Sequence, residues 1–253
     1  MLAELFRRFA SQTRTRILLA DVNWQALEHV LVEQQVELAR ELEPEILKVA
    51  KDQNGNHVVQ KVIELVPRQQ VGFIMDAFRG HASSLAAHNY ACRVIQRLLE
   101  YGSDRDKADL LAELHKSAHQ LFSDQYGNYV VQHIIENSSV EDRAKIIRLV
   151  SADFVSLSTH KYASNVVEKC IERGSRDDRN ELARQLMAPA DANGNNAMIS
   201  LMKDQYGNYV IRGFAPVGQA MWLGLTCARR ENAHPSRGGR SRDAGRGNES
   251  AIR

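Results

Sequence analysis

Five places in this 253-residue chain carry the same small set of side chains. A polar or small residue is followed at once by an extended or flat one, and a second polar residue comes four positions after the first. The sets are Asn56, His57 and Gln60; Cys92, Arg93 and Gln96; Asn128, Tyr129 and Gln132; Ser164, Asn165 and Glu168; and Asn208, Tyr209 and Arg212. The first and fifth residues can meet the edge of a planar ligand together. The second is in four cases an imidazole, guanidinium or phenol, groups that stack on a nucleobase. One stacking surface and two edge-reading groups are the minimum for recognising one nucleotide. The expected ligand is therefore single-stranded nucleic acid, read one base per unit.

The edge chemistry differs between the sets. Asn128 with Gln132, and Asn56 with Gln60, offer amide donors and acceptors that suit uracil. Ser164 with Glu168 is different in kind. A carboxylate accepts N1–H and N2–H of guanine, a donor pair that no other base presents. Cys92 with Gln96 leaves space for a purine and suits adenine. Arg212 has five donors and no acceptor, so it cannot receive N3–H of uracil and is expected to reach a phosphate instead.

The spacing of these sets reveals the elements that hold them. Asn56, Cys92, Asn128 and Ser164 stand 36 residues apart, and Ser164 to Asn208 is 44, one interval with an eight-residue insertion. At roughly 100° per residue around a helix axis, Val58, Val59, Val62, Ile63 and Val66 fall on one face and Asn56, His57 and Gln60 on the other. The same division recurs at Val94, Ile95, Leu98 and Leu99, and at Val130, Val131, Ile134 and Ile135. Asp52, Asp124 and Asp204 precede three of these helices by four residues and can cap them. Further helical stretches lie between, and no hairpin signature or sustained alternation appears. The pattern predicts an all-α solenoid whose units bury their apolar faces against one another.

The motifs NHVVQ at 56–60, CRVIQ at 92–96, NYVVQ at 128–132 and SNVVE at 164–168 resemble those of the Pumilio (PUF) family, with NYVIR at 208–212 a partial match. PUF repeats are a known one-base-per-repeat code. The resemblance covers roughly residues 25–212. It implies a curved right-handed α-solenoid of stacked three-helix repeats, with RNA antiparallel along the concave face. Read from Asn208 back to Asn56, the sets then spell 5′-UGUAU-3′, which contains the family's UGUA core. Members bind mRNA 3′ untranslated regions, and they repress translation or hasten decay by recruiting a deadenylase complex.

Other classes fit less well. A net charge of +2 does not by itself indicate a polyanion partner. Cys92, Cys170 and Cys227 form no metal-ligand or disulfide framework. Phosphate loops and nucleophile elbows are absent, so neither catalysis, nor a cofactor, nor a small-molecule substrate is expected. No apolar run is long enough for a membrane span, and a cytoplasmic location is expected. The alternative is an α-solenoid protein–protein scaffold of the armadillo or HEAT type. It shares the architecture but does not require Asn/Gln, Cys/Gln and Ser/Glu pairs at fixed spacing.

Three regions follow: an atypical N-terminal segment, 1–25; a partial array of about five repeats plus a half repeat, 26–212; and a basic Gly/Arg-rich tail, 213–253, expected to be disordered and to add sequence-independent affinity. Upstream of Ala26 the aligned reading positions Ala20, Asp21 and Trp24 match no base. Both flanks therefore read as foreign to the repeats, leaving an array short of the family's eight.

Overall fold

The computed structural model describes residues 24–29, 31–187 and 196–214. The first 23 residues, and the tail from 215 on, lie outside the described residues, and with them the expectations made for those segments.

Among the described residues, fifteen α-helices form five units of three. The first unit holds α1 (Val32–Leu42), α2 (Ile46–Ala50) and α3 (Gly55–Leu65), preceded by a 3-10 turn at Trp24–His29. The second holds α4 (Gly72–Phe78), α5 (Ala82–Ala86) and α6 (Ala91–Tyr101). The third holds α7 (Asp104–Lys116), α8 (Ala118–Ser123) and α9 (Gly127–Asn137). The fourth holds α10 (Val140–Ala152), α11 (Phe154–Ser158) and α12 (Ala163–Arg173). The fifth holds α13 (Arg176–Met187), α14 (Ala197–Lys203) and α15 (Gly207–Gly213). Each unit ends on the helix that carries one reading set, and no strand occurs among the described residues. The fold is an all-α solenoid of three-helix repeats.

Local sequence explains the breaks. Ser103, Ser139 and Ser175, again 36 apart, precede α7, α10 and α13. Each Oγ accepts the backbone N–H of an aspartate three residues on, Asp106, Asp142 and Asp178. Those carboxylates in turn accept the serine hydroxyls. Such reciprocal caps satisfy N–H groups that a helix start leaves open, typically worth about 1 kcal/mol each.

The last helices stack on one another in order, α3 on α6, α6 on α9, α9 on α12 and α12 on α15. Their apolar faces, Val58 to Ile63, Val94 to Leu99, Val130 to Ile135 and Val166 to Ile171, supply the buried core. Full burial of such a side chain is worth about 1.5–3 kcal/mol, so the stack is held mainly by apolar contact between neighbours. The sequence reading ends the array at 212. In the structure α15 runs to Gly213, and Phe214 is fully buried, edge-on to Phe154 at 6.5 Å between ring centroids.

A ladder of ion pairs and one histidine–carboxylate hydrogen bond crosses the same stack. Lys61 bridges Glu28 and Glu64 at 2.8 and 2.9 Å, and Arg97 bridges Glu64 and Glu100. His133 meets Glu100 at 2.8 Å, and Lys169 bridges Glu136 and Glu172 at 2.7 and 2.8 Å. The basic groups recur every 36 residues, as do the glutamates. Each basic residue therefore ties its own repeat to the one before. We expect Lys169→Met to cost about 0.5–1 kcal/mol, since both its pairs are partly solvated, with the loss shrinking at high salt in urea unfolding. A loss that is independent of salt would mean that packing of the lysine stem, not charge, does the coupling.

Candidate nucleic-acid interface

The reading sets sit in the first turn and a half of α3, α6, α9, α12 and α15, so the way each helix starts decides where they point. In three repeats an aspartate makes the start. Asp52 Oδ1 accepts from the backbone N–H of Asn54 and Gly55, Asp124 Oδ1 from Tyr126 and Gly127, and Asp204 Oδ1 from Tyr206 and Gly207, all at 2.7–2.9 Å. The other two repeats have histidine at the equivalent place, a role the sequence reading did not assign. His88 Nδ1 accepts from Tyr90 and Ala91 at 3.2 and 3.4 Å, and His160 Nδ1 from Tyr162 and Ala163 at 3.2 and 3.3 Å. The signal was present in the 36-residue spacing, but histidine is not among the residues that usually cap helices.

The three members of each set are placed differently. The first residue is a buried floor in four sets, with Asn56 and Asn128 1% exposed, Ser164 3% and Cys92 4%, and is half-buried at Asn208. Asn56 gives both amide hydrogens to backbone carbonyls, of Asp52 and Gln53, and Asn128 does the same to Asp124 and Gln125. Their Oδ1 atoms then accept from Nε2 of Gln60 and Gln132, both at 2.9 Å. The fifth residue is half-buried at Gln60, Gln96, Gln132 and Glu168 and exposed at Arg212; Gln60 and Gln132 keep Oε1 and one N–H beyond the bond to the asparagine. The second residues, His57, Arg93, Tyr129, Asn165 and Tyr209, are all exposed, Tyr129 at 57% and Tyr209 at 54%. This arrangement departs from the expectation of two equal edge readers. In the asparagine repeats the first amide is occupied by the helix start, and the glutamine holds the free acceptor and donor.

The set in α12 has its own electrostatics. Glu168 is half-buried and makes no hydrogen bond or ion pair among the described residues, and Ser164 Oγ likewise has no partner there. Burial pushes the Glu168 carboxyl above its ordinary range, an effect that Lys169 partly opposes. A half-buried carboxylate lacking donors is poorly solvated, so a ligand that brings two N–H groups gains more here than at an exposed acid.

In α15 the fifth residue is Arg212. Its guanidinium carbon lies 5.2 Å from the centroid of the Tyr209 ring, a cation–π contact. Asn208 still binds the carbonyls of Asp204 and Gln205 at 2.9 and 3.0 Å. No glutamine meets its Oδ1. Arg212 therefore brings no acceptor at the fifth position of this repeat, and it lies against the stacking ring. Arg212→Gln should restore the acceptor and uncover the ring, raising preference for U over C at the 5′ position on the order of fivefold. Titration with UGUAU and CGUAU checks this. Equal discrimination by the two proteins would refute the role given to Arg212.

Among the described residues, no group of three His, Cys, Asp or Glu could hold a metal ion, and no helix is long and apolar enough to cross a membrane. The sequence pattern of the Pumilio-family RNA binding repeat matches residues 45–77, 81–115, 123–151, 153–187 and 198–212. Pumilio homology domain family member 4 of Saccharomyces cerevisiae is 34% identical over 73 residues, 29% of this chain and 8% of that protein. The match thus spans a small part of that relative's length. Two solved structures are similar over most of this chain. The Puf3 RNA binding domain bound to a Cox17 RNA 3′ UTR recognition sequence is 38% identical with a TM-score of 0.78, covering 86% of this chain and 67% of that one. PUF-8 in complex with PBE-RNA is 35% identical with a TM-score of 0.75, covering 88% and 65%.

Proposed function

We propose, given that this chain belongs to the Pumilio family of RNA-binding repeat proteins, that it binds single-stranded mRNA through a UGUA core in 3′ untranslated regions. In this reading each repeat stacks its exposed second residue on a base, and the first four read the edge with the fifth residue above the buried first. Asn128 and Gln132 take uracil, Cys92, Arg93 and Gln96 take adenine, and Ser164, Asn165 and Glu168 take guanine. Asn56, His57 and Gln60 take the final uracil, and Asn208 and Tyr209 the first. The consequence in the cell is repression or decay of the bound message in the cytoplasm, through a recruited deadenylase, with no catalysis by this chain.

The observation that carries the reading is Glu168. It is an unpaired, half-buried carboxylate, at the place where the first three repeats have Gln60, Gln96 and Gln132 and the fifth has Arg212. A generic scaffold has no need for such a group, whereas guanine supplies the two donors that it lacks. Selection from a random RNA pool should enrich UGUAU in one register. Enrichment of no motif, or of one without G between two uracils, would contradict the proposal.

The pH dependence follows from the same group. Guanine needs the ionised form, because a neutral acid turns one acceptor into a donor facing N1–H or N2–H. Burial raises the pKa of Glu168, so its protonated form is reached earlier as pH falls than for an ordinary glutamate of about 4.3. Preference for UGUAU over UAUAU should therefore decline at a pH above that value and be restored on returning to neutrality. A preference that holds flat down to pH 4 would contradict this role for the carboxylate.

A further inference from the structure

The helix-start residue does more than end a turn, because its type goes with the type of reader four residues later. Asp52, Asp124 and Asp204 precede Asn56, Asn128 and Asn208, with glycine between at 55, 127 and 207. His88 and His160 precede Cys92 and Ser164, with Ala91 and Ala163 between. The geometry explains the pairing. After an aspartate, the asparagine amide fills the two carbonyls of the helix start and holds the glutamine. The glycine is also needed, since a Cβ at Gly127 or Gly207 would lie 2.8 or 2.9 Å from a leucine methyl, with backbone oxygen of Leu121 or Leu201 close behind.

After a histidine, the longer hydrogen bonds of 3.2–3.4 Å go with alanine at that place. The reader is then too short to anchor the fifth residue: Cys92 Sγ makes only a 3.7 Å contact with Asn89 O. Gln96 and Glu168 are left unheld by the floor. An accepting Nδ1 also requires the neutral Nε2–H imidazole, and burial, with Lys51 nearby, lowers the pKa of His88 toward that state.

We propose that His88 and His160 are positioning residues of the base code: their Nδ1 acceptors set the helix start that seats Cys92 and Ser164 beneath an unanchored Gln96 or Glu168, and so make these two repeats purine readers. The proposal rests on the base assignment above. His160 acts on guanine through Ser164 and Glu168 and touches no base itself.

The test uses the full chain and four oligonucleotides, UGUAU, UAUAU, UGCAU and UGUCU. His160→Phe keeps a ring but loses the acceptor. It should lower the UGUAU:UAUAU affinity ratio on the order of fivefold, the usual weight of a lost cap, while ratios against UGCAU and UGUCU stay unchanged. His160→Asn supplies a neutral acceptor and should recover most of the lost ratio. His88→Phe should instead lower the UGUAU:UGUCU ratio and spare the others. Uniform weakening toward all four RNAs would reduce the histidines to structural caps and overturn the proposal, as would an unchanged G:A ratio. Should His160→Phe not fold, His160→Asn alone decides: a retained ratio supports the acceptor role, and a lost one refutes it. If the unaltered chain shows no G:A preference, the base assignment itself fails, a result distinct from a failure confined to the histidine variants.

Discussion

Glu168→Gln should lower preference for guanine over adenine by about 1–3 kcal/mol, roughly 5- to 150-fold, by analogy with base-edge readout in DNA. Guanine presents two adjacent N–H donors, and in the proposed reading Glu168 as a carboxylate meets both with acceptors. A glutamine keeps one acceptor and turns an N–H toward the other donor, so one hydrogen bond is replaced by a repulsion. The cost is read out in a partly desolvated setting, because the group is half-buried. Stability should not fall with it. Glu168 makes no hydrogen bond or ion pair among the described residues, and burial already disfavours its charge. The variant should melt at the same temperature or slightly higher. Retained guanine preference with unchanged melting would remove Glu168 from the reading set, and a large drop in melting temperature would make it a structural residue.

The largest expected effect on stability lies at Phe122. Its ring is fully buried at the end of α8, which packs against α9. Phe122→Ala removes that ring from a close-packed site and should cost about 3–5 kcal/mol in urea unfolding. In a repeat array each unit leans mainly on its neighbours, so the damage should spread to α9 and weaken the reading of U by Asn128, Tyr129 and Gln132. Val140, at 70% exposure, provides the contrast. Val140→Ser should change stability by no more than about 0.5 kcal/mol. A cost below about 1 kcal/mol at Phe122 would mean that the unit collapses around the vacancy or that its core is not cooperative.

The repeat, its reading helix and the buried face were legible because all three follow simple periods. Val58, Val94, Val130 and Val166 recur at 36, and within each helix the apolar residues keep the helical spacing. The aspartate caps were legible for the same reason. For His88 and His160 the same spacing marked the place, but nothing in the local sequence distinguishes an accepting Nδ1 from a surface imidazole. Their role appears only when the five helix starts are compared in three dimensions.

From helix spacing alone, the glutamates at 64, 100, 136 and 172 suggest charges paired along their own helix. That holds for Lys61 with Glu64 and Lys169 with Glu172. The second bond of each cation reaches 33 residues back, to Glu28 or Glu136, which helix periodicity does not show. Asn56 and Asn128 are the most instructive case. Asparagine is ordinarily a surface residue, and its place beside a stacking group suggested an exposed edge reader. Burial became visible only with the backbone carbonyls that its amide satisfies.

The central claim is that one repeat reads one base, and its most direct test is a competition between UGUAU and UAUAU for the unaltered chain at fixed salt. A single base differs, opposite the one repeat with a carboxylate reader, so phosphate contacts cancel. The account predicts that UGUAU binds tighter by at least about fivefold, the low end expected for a specific base-edge contact. Equal affinity for the two RNAs would contradict it.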